Sequence, residues 1–332
     1  MPIPAAVHVP QHLPARALPS ACYPGTHART ATSRPIPHVG HPSAIAVGIV
    51  IPERPALTEA NDGAKLAIDE ISKAFGSPST GTQALGLVSM ALQPGEFVSI
   101  VGPSGCGKST LFNIIAGLIP PSTGRVLLDG REVTGQTGLM GYMLQKDLLL
   151  PWKSVLENVS LGLELRGERR KVARDRGREL LRRYGLGDFE RHYPHAISGG
   201  MRQRVALMRT FLYAGDVLLL DEPFGALDAQ TRILMQQWLL EIWQADRRTV
   251  LFVTHDVDEA IYLSDRVLLM SSRPGIFREE FVIPLERPRR LEMLTLPAFT
   301  AIKARLFTMM HEEALRARAG EERSLVSGGR RE

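Results

Sequence analysis

Eight residues, Gly102-Pro103-Ser104-Gly105-Cys106-Gly107-Lys108-Ser109, constrain this chain more than any other stretch. An apolar run from Gly95 to Val101 precedes them and reads as a buried strand. After them, Leu111, Ile114, Ile115 and Leu118 fall on one side of a helix. A G-x-x-x-x-G-K-[ST] segment set between strand and helix is a loop shaped to enclose phosphate. Its glycines let the backbone curl so that N–H groups point inward, and the positive end of the helix after Lys108 adds to the field. In such a loop the lysine ammonium reaches the β- and γ-phosphates of a nucleotide, and the Ser109 hydroxyl serves as a Mg²⁺ ligand. The expected phosphate contacts are therefore Gly102, Pro103, Ser104, Gly105, Cys106, Gly107, Lys108, Ser109 and Thr110. Cys106 is read as filling a loop position that faces away from phosphate, not as a redox group.

Strand and helix alternate around this loop. Leu66 to Ile71, Val126 to Leu128 and Leu139 to Leu144 read as strands, and Ser154 to Phe211 as mainly helical. Alternation resumes with a strand at Asp216–Leu220, a helix at Ala229–Ala245, a strand at Thr249–Val253, a helix at Val257–Leu263 and a strand at Arg266–Met270. This pattern is an α/β core with a helical insert at about 150–212. The core is expected over 63–290. A helix at Phe299–Ala317 and a fraying end make up 291–332. Residues 1–62 hold eleven of the 23 prolines and five of the nine histidines without periodicity, and are expected to be disordered. His8, His12, His27, His38 and His41 fit no metal-site spacing. A start assigned too far upstream would produce the same segment.

Composition narrows the partners. The formal charge is +5, and three of the positive charges are Arg16, Arg29 and Arg34, ahead of the first acid at Glu53. That is weak ground for nucleic acid, which is not expected. Two cysteines, Cys22 and Cys106, give neither a disulfide framework nor a metal cluster and suit a reducing compartment. No apolar run approaches the roughly 18–20 residues of a membrane span, and the start lacks a secretory pattern. Any membrane role is expected to come from docking on another protein.

Val217-Leu218-Leu219-Leu220-Asp221-Glu222 is an apolar strand that ends in two carboxylates. A buried parallel strand delivers its last residues to the edge where ligands bind. Asp221 is placed to hold Mg²⁺ and Glu222 to polarise an attacking water. Further on, Ile197-Ser198-Gly199-Gly200-Met201-Arg202-Gln203-Arg204 opens a helix that Ser198 can cap, with glycine N–H groups free at its start. That is a second anion site in a chain with one phosphate loop. It is explained if Ser198, Gly199 and Gly200 close on the nucleotide of a partner copy.

These residues carry a resemblance. The sequence is similar to the ATP-binding subunits of ABC transporters, whose Leu-Ser-Gly-Gly-Gln signature stands here as Ile197 to Met201. Met201 and the following Arg202-Gln203-Arg204 resemble the importer branch for nitrate, sulfonates and taurine. The likeness covers about Lys65 to Met270 and implies an α/β P-loop NTPase fold, with a helical insert subdomain and a small antiparallel β region. It implies ATP and Mg²⁺ as ligands and matches further positions one by one. Gln145 resembles the glutamine that contacts Mg²⁺ and water, His255 the histidine that contacts the γ-phosphate, and Asp228 the acid of the loop crossing the dimer interface. Phe75 stands where an aromatic ring stacks on adenine.

Leu148-Leu149-Leu150-Pro151-Trp152 reads either as core of the insert or as a ledge for the permease. The resemblance further implies a homodimer that sandwiches ATP, membrane permease subunits, indirectly a substrate-binding protein, and a place on the cytoplasmic face of the inner membrane. Two alternatives stay open: a non-transport ABC ATPase of DNA maintenance or translation, and an importer subunit for a pyrimidine precursor of thiamine. Against the first, about ninety residues separate Lys108 from Ser198, too few for a long coiled coil, and there are no zinc cysteines.

Overall fold

A computed structural model describes residues 63–76 and 81–328. The expectations for residues 1–62, including the five histidines and Cys22, and for the last residues 329–332 lie outside the described residues. Among the described residues ten strands form two sheets. The smaller is antiparallel, in the order β2-β1-β4-β5: β1 is Leu66–Phe75, β2 Thr82–Leu92, β4 Thr123–Leu128 and β5 Arg131–Glu132. The larger runs β10-β9-β3-β8-β7-β6, with β3 at Phe97–Val101, β6 at Gly141–Met143, β7 at Val217–Asp221, β8 at Thr249–Val253, β9 at Arg266–Met270 and β10 at Phe277–Val282. All of these are parallel except β10, which runs antiparallel to β9. The two sheets are the α/β core and antiparallel region that the sequence implies.

Side chains alternate across a strand, so the central strands feed two cores. On one face, Val98, Ile100, Leu219, Leu251 and Val253 meet Leu66, Ile68 and Val88 of the antiparallel sheet. Between the sheets lies α1, Lys108–Ile115, which buries Leu111, Phe112, Ile114 and Ile115. On the other face, Phe97, Leu218, Leu220, Val250 and Phe252 pack against the remaining helices.

The insert comprises α2 (Val155–Leu165), α3 (Arg170–Arg183) and α4 (Gly199–Tyr213). α2 starts in a capping box: Ser154 Oγ accepts the Glu157 N–H at 3.3 Å, and the Glu157 carboxylate accepts the Ser154 N–H at 3.1 Å. The arginines of α3 are drawn to acids of α2, with Arg174 at 2.6 Å from Glu157. α5 (Ala229–Asp246) and α6 (Val257–Leu263) complete the α/β alternation. The last helix, α7, spans Pro297–Gly328, longer at both ends than the expected Phe299–Ala317. Its Ala, Arg, Glu and Leu residues beyond Ala317 are strong helix formers, which explains the extension. β2, β10 and the two-residue β5 are further strands that the apolar pattern did not mark. Among the described residues no helix is long and apolar enough to cross a membrane.

Candidate functional site

Parallel strands in the order β9-β3-β8-β7-β6 deliver their carboxyl ends to one edge, and the expected residues follow from four of them. β3 leads into Gly102–Ser109, β8 into His255, β7 ends in Asp221 before Glu222, and β6 leads into Gln145. Adjacency in the sheet thus gathers residues far apart in sequence.

The phosphate loop is tight. Gly107 has φ +110°, and a Cβ there would meet Ala84 O at 2.9 Å and Leu85 Cδ2 at 2.7 Å, so a side chain is excluded. Lys108 is buried, and its ammonium donates to Gly102 O at 2.8 Å and Pro103 O at 2.9 Å. Cys106 is packed in the core; burial pushes its thiol up, against the pull of neighbouring Lys108. A buried neutral thiol is a packing group.

Asp221 is buried at the end of β7. Burial raises its carboxyl above the ordinary range, the Glu222 charge adds to this, and a hydrogen bond with Ser109 and the Lys108 charge oppose it. The pairing of Ser109 with Asp221 gathers a hydroxyl and a carboxylate, both hard oxygen donors of the kind that suits Mg²⁺. Among the described residues no group of three or more His, Cys, Asp or Glu side chains is arranged as a metal cluster.

Glu222 adopts φ +48°, a left-handed conformation that costs about 1–2 kcal/mol in a residue with a Cβ. The surroundings hold it there. Its N–H donates to Val253 O at 2.9 Å, and its carbonyl accepts Gln203 Nε2 at 3.3 Å and the Gly225 N–H at 3.2 Å. Its carboxylate receives Gln145 Nε2 at 3.1 Å and lies 3.5 Å from His255 Nδ1. Three residues expected to be catalytic therefore meet at one carboxylate oxygen.

Two further residues support this group, and the sequence reading gave neither a role. Gln203 lies buried on α4 and holds the Glu222 carbonyl. Glu259, buried on α6, accepts Thr254 Oγ1 at 2.6 Å and Gln236 Nε2 at 3.0 Å, and Thr254 Oγ1 in turn accepts the Asp256 N–H at 3.0 Å. That network fixes the turn carrying His255. Neither Gln203 nor Glu259 is signalled by spacing in the sequence, since both act through tertiary contacts.

Ser198 caps α4, its Oγ accepting the Met201 N–H at 3.2 Å. Gly200 faces Leu227 and Ala226, and Asp228 caps α5 by accepting the Thr231 N–H at 2.9 Å. Ser198 and Asp228 are both exposed. Among the described residues no hydrogen bond or ion pair joins Ser198–Gly200 to Gly102–Ser109, so the two segments stand apart within one chain. Phe75, at the end of β1, is 46% exposed with the Lys73 ammonium 5.1 Å from its ring centroid.

The segment after Gln145 is strapped to α4. Arg202 Nε lies 3.1 Å from the Asp147 carboxylate, and Arg209 donates to Asp147 O at 2.7 Å and Leu148 O at 2.8 Å. Beside this strap Leu148 is exposed and Trp152 is 70% exposed, while Leu149 is buried. The Leu148–Trp152 stretch thus supplies both core and an open apolar ledge.

A family model described as "ABC transporter" matches residues 85–225. An uncharacterized ABC transporter ATP-binding protein of Methanocaldococcus jannaschii is 43% identical over 76% of this chain and 94% of its own length. The aliphatic sulfonates import ATP-binding protein of Bacillus cereus is 46% identical over 68% of this chain and 88% of its own. Among solved structures, a dimeric bacterial ABC transporter cassette superposes with a TM-score of 0.61 at 31% identity, covering 67% of this chain and 100% of that one. A dimeric post-hydrolysis state of an ATP-binding cassette with ADP and Pi matches equally well.

Proposed function

Because the chain belongs to the ABC transporter ATP-binding family and is an ATPase of that kind, we propose that two copies close on two ATP molecules and drive an importer for a small anion of the sulfonate, taurine or nitrate type. The observation that carries the catalytic part is the meeting of Gln145 and His255 on the Glu222 carboxylate, beside the Ser109–Asp221 pair.

Each ATP lies between two copies. One copy supplies Lys108 to the β- and γ-phosphates, the N–H groups of Gly102 to Thr110, and the Phe75 ring to adenine. The other supplies Ser198, Gly199 and Gly200, with Asp228 on the loop between. The exposed helix start capped by Ser198, unbonded to the phosphate loop of its own chain, and the dimeric cassettes it resembles support this sandwich. Glu222 accepts a hydrogen bond from the attacking water, Gln145 orients that water and His255 contacts the γ-phosphate. Ser109, Asp221 and Gln145 are the residues that would hold Mg²⁺, which when bound neutralises phosphate charge. ATP binding favours the closed dimer. Hydrolysis removes the γ-phosphate contacts and lets it open.

A membrane permease converts closure into alternating access, with the chain peripheral on the cytoplasmic face of the membrane. The exposed Leu148 and Trp152 beside Gln145 offer it an apolar anchor. The relative named for aliphatic sulfonates supports the cargo class, a substrate-binding protein supplies that cargo, and nucleic acid has no part.

The decisive variant is Glu222→Gln. ATP hydrolysis is expected to fall at least about a hundredfold with ATP binding retained, and ATP to convert the protein to a dimer on size-exclusion chromatography. Wild-type hydrolysis in Glu222→Gln would refute the catalytic assignment, and a protein that stays single with ATP would refute the sandwich. The cargo is tested by transport in vesicles carrying permease and binding protein, with taurine, an alkanesulfonate and nitrate as competing solutes.

A further inference from the structure

Four of the five parallel strands hand a recognised loop to the ligand edge. The fifth, β9, hands over Ser271-Ser272-Arg273-Pro274-Gly275, to which neither motif nor mechanism assigns a part. We propose that Arg273 is a positioning residue for the phosphate-binding loop, and that Glu313 of the C-terminal helix stations it there. The proposal rests on Gly102–Ser109 being the ATP phosphate site.

Arg273 Nη2 donates to Gly105 O at 3.1 Å, in the middle of the loop. A trans peptide sets C=O and the next N–H on opposite sides. Holding the Gly105 carbonyl toward the arginine therefore turns the Cys106 N–H the other way, where its bond to Pro103 O is long, 3.4 Å. Such an N–H is available to a phosphate oxygen. The guanidinium adds positive charge beside the loop without entering it.

The segment carrying Arg273 is held on three sides. Gly275 donates to Ala84 O at 3.0 Å and accepts the Gly86 N–H at 3.0 Å, stitching the turn to β2. A Cβ on Gly275 would collide with Cys106 O, so the chain passes directly against the phosphate loop. From the third side Glu313 Oε2 accepts the Ser272 N–H at 3.0 Å. Glu313 is only 3% exposed, with Arg316 at 2.5 Å from its other oxygen. Burying a carboxylate is costly unless it is paired, and here Arg316 and, at 3.6 Å, Arg278 pair one oxygen while the Ser272 N–H meets the other. Through Oε2 Glu313 holds the residue beside Arg273. The C-terminal helix thus reaches the nucleotide site through two hydrogen-bonded steps, Glu313 to Ser272 and Arg273 to Gly105.

The test uses the full chain and ATP, measuring Kd by calorimetry and KM and kcat by phosphate release. Arg273→Ala is expected to raise Kd and KM about threefold to tenfold with kcat within about twofold, as for one charge-assisted hydrogen bond at a surface. Its unfolding midpoint without nucleotide stays at the wild-type value, and Arg273→Lys, which keeps a cationic donor, restores most of the affinity. Glu313→Ala is expected to raise KM similarly, Glu313→Gln to restore it, and the double alanine variant to be no worse than Arg273→Ala alone. Unchanged Kd and KM in Arg273→Ala would overturn the proposal, as would a fall in kcat alone. Additive single effects would overturn the part given to Glu313. Wild-type protein that binds no ATP, or Lys108→Ala that binds it normally, would instead refute the phosphate-loop reading.

Discussion

Glu222 combines a left-handed backbone with the carboxylate to which the proposed chemistry is assigned. A left-handed backbone at φ +48° persists only where neighbours over-determine it, and here the Val253 carbonyl, the Gly225 N–H and the Gln203 amide do so. The Gln203 bond tests how far that geometry matters. Gln203→Leu keeps the bulk on α4 but leaves the Glu222 carbonyl without its side-chain donor. The expected result is a kcat about threefold to tenfold lower with KM for ATP little changed, since the phosphate loop is untouched. Steady-state kinetics over a range of ATP concentrations checks it, and a rise in KM at constant kcat would count against the assignment.

At this scale the sequence is informative where a motif ties residue to strand end. The placement of Lys108, Ser109, Asp221, Glu222 and His255 at or just beyond strand ends was legible because an apolar run leads into each. Gln203 and Glu259 were not, because their partners, a backbone carbonyl and a threonine hydroxyl, are set by tertiary contact and leave no spacing to read. Arg273 had a usable signal in hindsight. Ser-Ser-Arg-Pro-Gly punctuates the end of an apolar strand, and strand ends are where this fold places ligands.

Among the elements, those with a single strong period were the most legible. β8, β9 and α6 lie at Thr249–Val253, Arg266–Met270 and Val257–Leu263, as the apolar runs predicted. β2 escaped because Ala84, Leu85, Met90, Ala91 and Leu92 are as much helix formers as strand formers, and Gly86 interrupts the run. β10 escaped because Arg278, Glu279 and Glu280 make it look like a loop. It is an edge strand whose charges are neutralised, Glu280 by Arg266 at 2.6 Å and Glu279 by Arg305.

The element that a start signal defines best is α2, and its capping box yields a pH prediction. The Ser154 backbone N–H, more than the charges of Arg174 and Lys153, holds the Glu157 carboxyl below its ordinary value of 4.5, with burial opposing. A carboxyl lower in the folded than in the unfolded state adds stability above the unfolded value and loses it as pH falls through the folded one. Ser154→Ala is expected to cost about 1 kcal/mol at pH 7. Glu157→Gln should be less stable than wild type at pH 7, and the gap should close as the pH drops below 4.5. Urea midpoints at pH 7 and pH 3.5 check both, and a gap that widens in acid would contradict the sign.

Over the whole molecule the notable outcome is the standing of the C-terminal helix. The sequence set residues beyond 290 apart from the core, because prolines break the chain there and the helix pattern is mixed. α7 nonetheless sends Phe299, Ile302 and Leu306 into the same core that holds Phe97, Phe252 and Trp243 beneath the parallel sheet. Three such side chains, fully buried, contribute about 5–9 kcal/mol of apolar burial, comparable to the about 5–15 kcal/mol net stability of a typical domain. The helix is therefore expected to stabilise the fold that carries the nucleotide site, and its Glu313 accepts the Ser272 N–H just beyond β9.

Two phenylalanines on this one helix separate packing from mere helix propensity. Phe299 is 1% exposed and Phe307 63% exposed. Substitution by alanine gains helix propensity at both positions, so a difference between them reports the core alone. Phe299→Ala is expected to lower unfolding stability by about 3–5 kcal/mol, and Phe307→Ala to change it by less than about 0.5 kcal/mol. Denaturant midpoints of the two variants decide the matter. Equal, small effects would mean that α7 rides on the surface and that a chain ending at Arg290 should fold and hydrolyse ATP unaided.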